Sequence, residues 1–179
     1  YKGIFTILSS CASRQLEEVT FRRTVIPVQE LLGAAGKYFK KLMKNRPERI
    51  ELEIEPIEAK VIGDVNQLRF LLENLIDEAL TVREDGVIRL QARKDNEYIR
   101  FLFTDTRREK SVEELNQLFY PNLARMTSGE KGELRGTEYL VCKQIIRDHD
   151  EFAGRRGCRI NAEPAEGGGF TVYFTIPRR

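Results

Sequence analysis

A chain of 179 residues, 41% hydrophobic and 32% charged, fits one globular domain with a self-sufficient core and excludes a disordered or fibrous chain. With 30 Lys and Arg against 28 Asp and Glu the formal charge is +2, too balanced to point to nucleic acid. No run approaches the roughly 18 apolar residues of a membrane span and no signal peptide opens the chain, so no membrane segment is expected within it.

Cys11, Cys142 and Cys158 are odd in number and lack metal-ligand spacing, which fits a reducing, cytoplasmic compartment. The chain opens on Tyr1 without Met and reads as a fragment, with membrane anchoring of the parent protein left open.

In chain order, residues 2–21 read as a helix. Ile4, Phe5, Leu8, Cys11, Ala12, Leu16 and Val19 form its stripe, suited to docking on its own domain or on a second copy. An extended piece, TVIPV at 24–28, leads into a second helix near 28–45 with Leu31, Leu32, Ala35, Tyr38, Phe39 and Leu42 at helical spacing. Pro27 stands where a helix can begin and Pro47 where it has ended. Lys37, Lys40, Lys41 and Lys44 form a solvated face, favoured over an anion-docking one.

IELEI at 50–54 alternates as a half-exposed strand, and KVIGD at 60–64 looks like its short partner. Asp64 with Gln67 resembles a capping box and opens a third helix running to about Val82. That helix carries LLENLIDEAL at 71–80. Leu68, Leu72, Leu75, Ile76 and Ala79 share one side, and Gln67, Asn74, Asp77, Glu78 and Thr81 the other. Asn74 and Glu78, four apart, face the same way. From this helix alone a solvated face and a binding site are equally open.

Two strands, VIRLQARK and YIRFLFTD, form a hairpin across DNE with Ile88, Leu90, Ala92, Ile99, Phe101 and Phe103 inward. Ser111 and Glu114 cap a short helix ending near Phe119. Residues 120–136 lack a period and read as a mobile, lid-like loop. Thr137–His149 reads as a helix with Leu140, Val141 and Ile145 as its core stripe, and CRINAE and FTVYFTI meet across PAEGGG. The order of elements predicts an α+β fold, a two-layer α/β sandwich with helices on one sheet face and the other more open.

Residues from about Val25 to Ile176 resemble the ATP-binding domain of sensor histidine kinases, a branch of the GHKL ATPase superfamily. NLIDEALT at 74–81 matches the frame of the N-box, Asp105 falls at the aspartate of the first glycine box, and QLFYP resembles the phenylalanine motif. GTEYLVCKQIIRDH keeps the frame of the second glycine box from Gly136 to His149. The resemblance implies a mainly antiparallel mixed sheet, with residues 23–179 as the ATP-binding domain and 1–22 as the remnant of a dimerisation hairpin.

It also implies roles: Asp105 accepts a hydrogen bond from adenine, Asn74 and Glu78 face metal and phosphates, and Gly136 lies at the phosphate-side helix terminus. Glu78 occupies the position of the asparagine that ligates Mg²⁺, and a carboxylate is also a hard oxygen ligand. The chain departs from the pattern at several points. Thr81 replaces a lysine, Arg107 and Glu109 replace the glycines of the first box, and Glu138 replaces one of the second; such glycines allow close approach of backbone to nucleotide.

Gly129 and Gly132 lie in the lid without a phosphate-loop pattern, and Gly167–Gly169 read as turn residues. His149, the sole histidine, reads as a helix-end residue, so no phosphoacceptor is expected in this chain. Two functional readings stay open. One is a kinase domain that uses ATP and Mg²⁺ to phosphorylate a histidine on a missing upstream helix. The other is a pseudokinase-like signalling module acting through homodimerisation by residues 1–22 or through a partner such as a response regulator. A nucleic-acid-binding α+β module is a third, disfavoured by the charge balance.

Overall fold

The computed structural model describes residues 20–121, 127–128 and 134–179. The helix expected over residues 2–21 lies outside the described residues up to residue 19, and so do Cys11, Gly129 and Gly132.

The core is a five-stranded sheet in the order β2 (Ile50–Ile54), β4 (Gly86–Asp95), β5 (Tyr98–Asp105), β9 (Phe170–Pro177), β8 (Ile160–Pro164). β2 runs parallel to β4 and every other pair is antiparallel. The alternation of VIRLQARK and YIRFLFTD sends Ile88, Leu90, Ala92, Ile99, Phe101 and Phe103 to one buried face, as expected for strands with one face covered. Phe101 lies opposite Phe174 on the neighbouring strand, and their rings stack at 4.8 Å.

Three helices cover that face: α1 (Val28–Met43), α2 (Val65–Ala79) and α4 (Glu138–Phe152). α1 buries Val28, Leu31, Leu32, Ala35 and Phe39, while Lys37, Lys40, Lys41 and Lys44 are exposed, the solvated face anticipated from their spacing. α3 (Val112–Asn116) is short and starts with a complete capping box, Ser111 and Glu114 satisfying each other's backbone N–H. This pairing holds the Glu114 carboxyl below its ordinary range, chiefly through the Ser111 backbone bond.

Two expectations are corrected, the partner of one strand and the stripe of one helix. β3 (Lys60–Gly63) pairs not with β2 but antiparallel with β1 (Thr24–Pro27), and β2 joins the main sheet through parallel β4. Within the loop expected over 120–136, much of which lies outside the described residues, β6 (Thr127–Ser128) pairs with β7 (Leu134–Arg135), which leaves the lid-like loop an expectation. On α4 the buried stripe is Tyr139, Cys142, Ile145 and Ile146 with Leu140, whereas Val141 is half-buried, because the helix turns its i+3 and i+4 positions toward α2.

The turn before β9 approaches the end of β5 closely. Gly169 has φ +84°, and a Cβ there would collide with the backbone of Asp105 and Thr106. The glycine run Gly167–Gly169 therefore serves the turn between β8 and β9 and lets it close over the end of β5.

Candidate functional site

α2 brings the polar residues of LLENLIDEAL to three different places. Asn74 is buried, and its Nδ2 donates to the Phe70 carbonyl 2.7 Å away, one turn back on its own helix. Asp77 accepts a 2.6 Å hydrogen bond from the Tyr38 hydroxyl of α1. Burial and then this carboxylate push the Tyr38 phenol above its ordinary value. Glu78 faces the end of β5, where Arg108 Nη2 lies 3.9 Å from its Oε1. Thr81 turns back on the helix end, donating to the Glu78 carbonyl at 2.6 Å.

Asp105 ends β5 and is 1% exposed. Its Oδ1 accepts from both the backbone N–H and Nε of Arg107, each at 3.0 Å, and its Oδ2 accepts from Arg107 Nη2 at 3.0 Å. The remaining guanidinium hydrogens go to the end of α2. Nη2 donates to the Ala79 carbonyl at 2.6 Å, and Nη1 to the carbonyls of Val82 and Glu84 at 2.9 and 3.0 Å. A guanidinium has five N–H donors, and all five are used. The bidentate fork on a carboxylate is the strongest geometry available to such a pair.

Space for this side chain comes from Gly86, at φ +147°. A Cβ on Gly86 would lie 2.5 Å from Arg107 Cγ. The helix terminus also explains the choice of a cation: the Ala79 carbonyl accepts the Val82 N–H at 3.3 Å as well, whereas the Val82 and Glu84 carbonyls take their hydrogen bonds from Arg107. Arg46 Nη2 adds a fourth contact there, donating to the Leu80 carbonyl at 2.7 Å.

Arg108 lies between the two carboxylates, with Nε 3.6 Å from Asp105 Oδ2 and Nη2 3.9 Å from Glu78 Oε1. Its guanidinium carbon sits 5.7 Å from the centre of the Phe170 ring. Tyr139, on the first turn of α4, borders the same group. Its phenol is pushed up, first by burial and then by the Glu78 carboxylate, with Arg108 opposing. Phe119 packs edge-on against the Tyr139 ring at 5.7 Å.

Gly136 stands just before α4 with φ +83°, a backbone conformation that glycine adopts without strain. Glu138 follows in the first turn, and its Oε2 is shielded with no hydrogen-bond partner among the described residues.

Of the predicted site residues, the fold gathers Glu78 and Asp105 around Arg108. Asn74 lies one turn from Glu78 on α2, and Gly136 lies at the entry of α4. Sequence reasoning treated Arg107 as a missing glycine and missed what it does; it assigned no role to Arg108 or Tyr139. The available signal was a pair of arginines directly after the aspartate that ends a strand.

ATP with Mg²⁺ is the group the resemblance implies, and the residues do not fit its base as arranged. About four lone-pair sites exist on a carboxylate. Three on Asp105 are taken by Arg107, and the fourth lies on a side chain 2% exposed with Arg108 Nε 3.6 Å from Oδ2, so an adenine amino group has no ready approach to it as arranged.

His149 is fully buried near the C-terminal end of α4 and performs a structural task. The Ile145 carbonyl can only accept, so Nδ1 donates to it at 2.8 Å, and Nε2 accepts the Asp64 backbone N–H at 3.1 Å. Phe21 packs edge-on against the ring at 4.9 Å, and Gly63 leaves the room it needs, since a Cβ there would lie 2.8 Å from the imidazole.

The chain resembles solved histidine kinase structures throughout its described fold. The catalytic domain of histidine kinase ThkA matches with a TM-score of 0.67 at 21% identity, covering 88% of this chain and 97% of that one. The Acinetobacter baumannii histidine kinase AdeS matches with a TM-score of 0.69 at 14% identity, covering 97% of this chain and 76% of its own. A mycobacterial sensor histidine kinase, MprB, matches with a TM-score of 0.66 at 18% identity, covering 88% and 99%. No curated protein matches the sequence. At these identities the likeness establishes the fold, and the family rests on the sequence match over residues 63–179. On that match, the chain belongs to the histidine kinase-, DNA gyrase B- and HSP90-like ATPase family.

Proposed function

We propose that this chain is the signalling domain of a sensor histidine kinase-type protein in which the kinase scaffold persists and the ATP·Mg²⁺ site is non-functional. The observation that carries the reading is the bidentate Arg107–Asp105 pair, which engages from within the chain the carboxylate expected to receive adenine. Glu78, Thr81 and Glu138 at positions where the family has asparagine, lysine and glycine support it further, because each alters charge or backbone freedom on the phosphate side.

On this reading the domain works by association. Residues 1–22 form the arm of a homodimer, residues 23–179 are the docking body, a response regulator is the partner, and the setting is cytoplasmic. A solved complex of histidine kinase ThkA with response regulator protein TrrA, matched at a TM-score of 0.68, supports the choice of partner.

Thermal melting of the full chain with ATP and Mg²⁺ tests the reading. No shift at millimolar nucleotide is expected; a Mg²⁺-dependent rise that disappears in Asp105→Ala would restore the active-kinase reading.

A further inference from the structure

Four charges meet at the end of β5: Asp105 and Glu78 negative, Arg107 and Arg108 positive. The group is self-neutral and largely closed to solvent, with side chains of Arg107 and Asp105 at 1% and 2% exposure and those of Arg108 and Glu78 at 19% and 17%. Buried carboxylates demand compensation, and in a ligand-binding site part of that compensation comes from the ligand. Here two consecutive residues, Arg107 and Arg108, are ion-pair partners of the two carboxylates.

We propose that Arg107 and Arg108 are a built-in substitute for nucleotide and cation: Arg107 supplies Asp105 with the N–H donors of a bound base, and Arg108 supplies Glu78 with the positive charge of a divalent ion. This deepens the non-functional-site reading and rests on it. The substitution is stereochemically specific. The planar guanidinium of Arg107 meets Asp105 through two parallel N–H bonds and fills a space cleared by Gly86. Arg108 lies 5.7 Å from the centre of the Phe170 ring, its charge set between the two carboxylates at ion-pair distance, with no hydrogen bond from Nε or Nη2 among the described residues. Tyr139, packed edge-on against Phe119, borders the group and interacts with Glu78 and Arg108.

The consequence is a domain whose site is held in a filled form with no ligand present, so that binding of a small molecule is not available as its switch. The same argument makes the space under Arg107 a latent site for a planar cation or an amidine-bearing base.

The test uses the full chain and thermal melting with three probes: Mg²⁺ alone, ADP, and methylguanidinium. Wild type is expected to respond to none of them. Arg107→Gly is expected to melt lower and to rise by at least about 2 °C with millimolar methylguanidinium or ADP, each competing with the other. Arg108→Ala is expected to gain a rise of similar size with millimolar Mg²⁺, lost again in Arg108→Ala/Glu78→Gln.

If wild type is stabilised by ADP with Mg²⁺, the non-functional-site reading falls and this inference with it. If wild type is inert and Arg107→Gly ignores both probes, the substitute role of Arg107 is wrong while the closed site stands. Should Arg107→Gly not fold, Arg108→Ala decides: no response to Mg²⁺ overturns the proposal.

Discussion

The two ends of α2 solve one problem in different ways. At its N-terminus Asp64 Oδ1 accepts from the N–H groups of Asn66 and Gln67, Oδ2 accepts from Arg22 N–H, and the Asp64 N–H goes to His149. At its C-terminus the carbonyls of Ala79, Leu80 and Val82 receive guanidinium hydrogens from Arg107 and Arg46. Anion at one end and cations at the other follow the helix dipole. The difference lies in what else each group holds. The Asp64 end joins α2 to α4 and to the segment entering the domain, through backbone N–H groups, an imidazole and aromatic contacts. The Arg107 end holds a buried ion pair, so there one side chain serves both the helix terminus and the carboxylate that ends β5, and on the proposed reading it also closes the site.

Removing Arg107 should break the second end most severely. Arg107→Ala leaves the buried Asp105 with only Arg108, 3.6 Å away, and removes the guanidinium donors of the Val82 and Glu84 carbonyls, an expected loss of about 3–5 kcal/mol in urea denaturation. Pairing it with Asp105→Asn should recover part of that loss, and the double-mutant cycle separates the ion pair from the carbonyl contacts. The corresponding change at the first end, His149→Ala, is expected to cost about 2–4 kcal/mol by leaving a cavity and an unsatisfied Asp64 N–H.

A smaller effect sharpens the contrast through backbone alone. Gly86→Ala should cost about 1–3 kcal/mol, because its φ of +147° disfavours a side chain and the new Cβ meets Arg107 Cγ. If Gly86→Ala also confers a nucleotide response, Arg107 has been displaced as expected. Asp64→Ala is expected to cost about 0.5–2 kcal/mol, the usual range for a lost N-cap, with no change in nucleotide response.

The smallest effect near neutral pH belongs to Cys158, beyond α4. Burial, with a lesser push from the Asp150 carboxylate, raises this thiol from 9.0 to about 12. A raised pKa means that its contribution is intact below about 9 and declines as pH climbs toward about 12, since the unfolded thiol ionises first. Stability measured between these limits should fall less steeply in Cys158→Ala than in wild type.

Much of the fold was legible because its signals are local. The alternation in VIRLQARK and YIRFLFTD named the inward residues correctly, since a strand's period of two leaves no other face. Asp64 and Ser111 marked helix starts because a cap acts within three residues. The partner of β3 was not legible. IELEI and KVIG are adjacent in sequence and both extended, and only the parallel course of β2 beside β4 and the return of β1 decide which edge each joins.

The candidate site divides in the same way. Position in the family frame marked Asn74, Glu78, Asp105 and Gly136, but the helical wheel placed Asp77 with Glu78 although the fold sends one to Tyr38 and the other toward Arg108. Neighbours on a helix differ by about 100° in direction, and packing on both sides separates them.

The sequence by itself determined the α+β class, the helical and strand periods, the family frame from the N-box to Gly136, and the loss of its glycines. The tertiary structure alone decided what replaced them. A glycine changed to arginine reads as damage in one dimension. Its meaning depends on whether five donors find acceptors, and those acceptors are Asp105 two residues away and carbonyls 23 to 28 residues away, brought within hydrogen-bond reach by the fold.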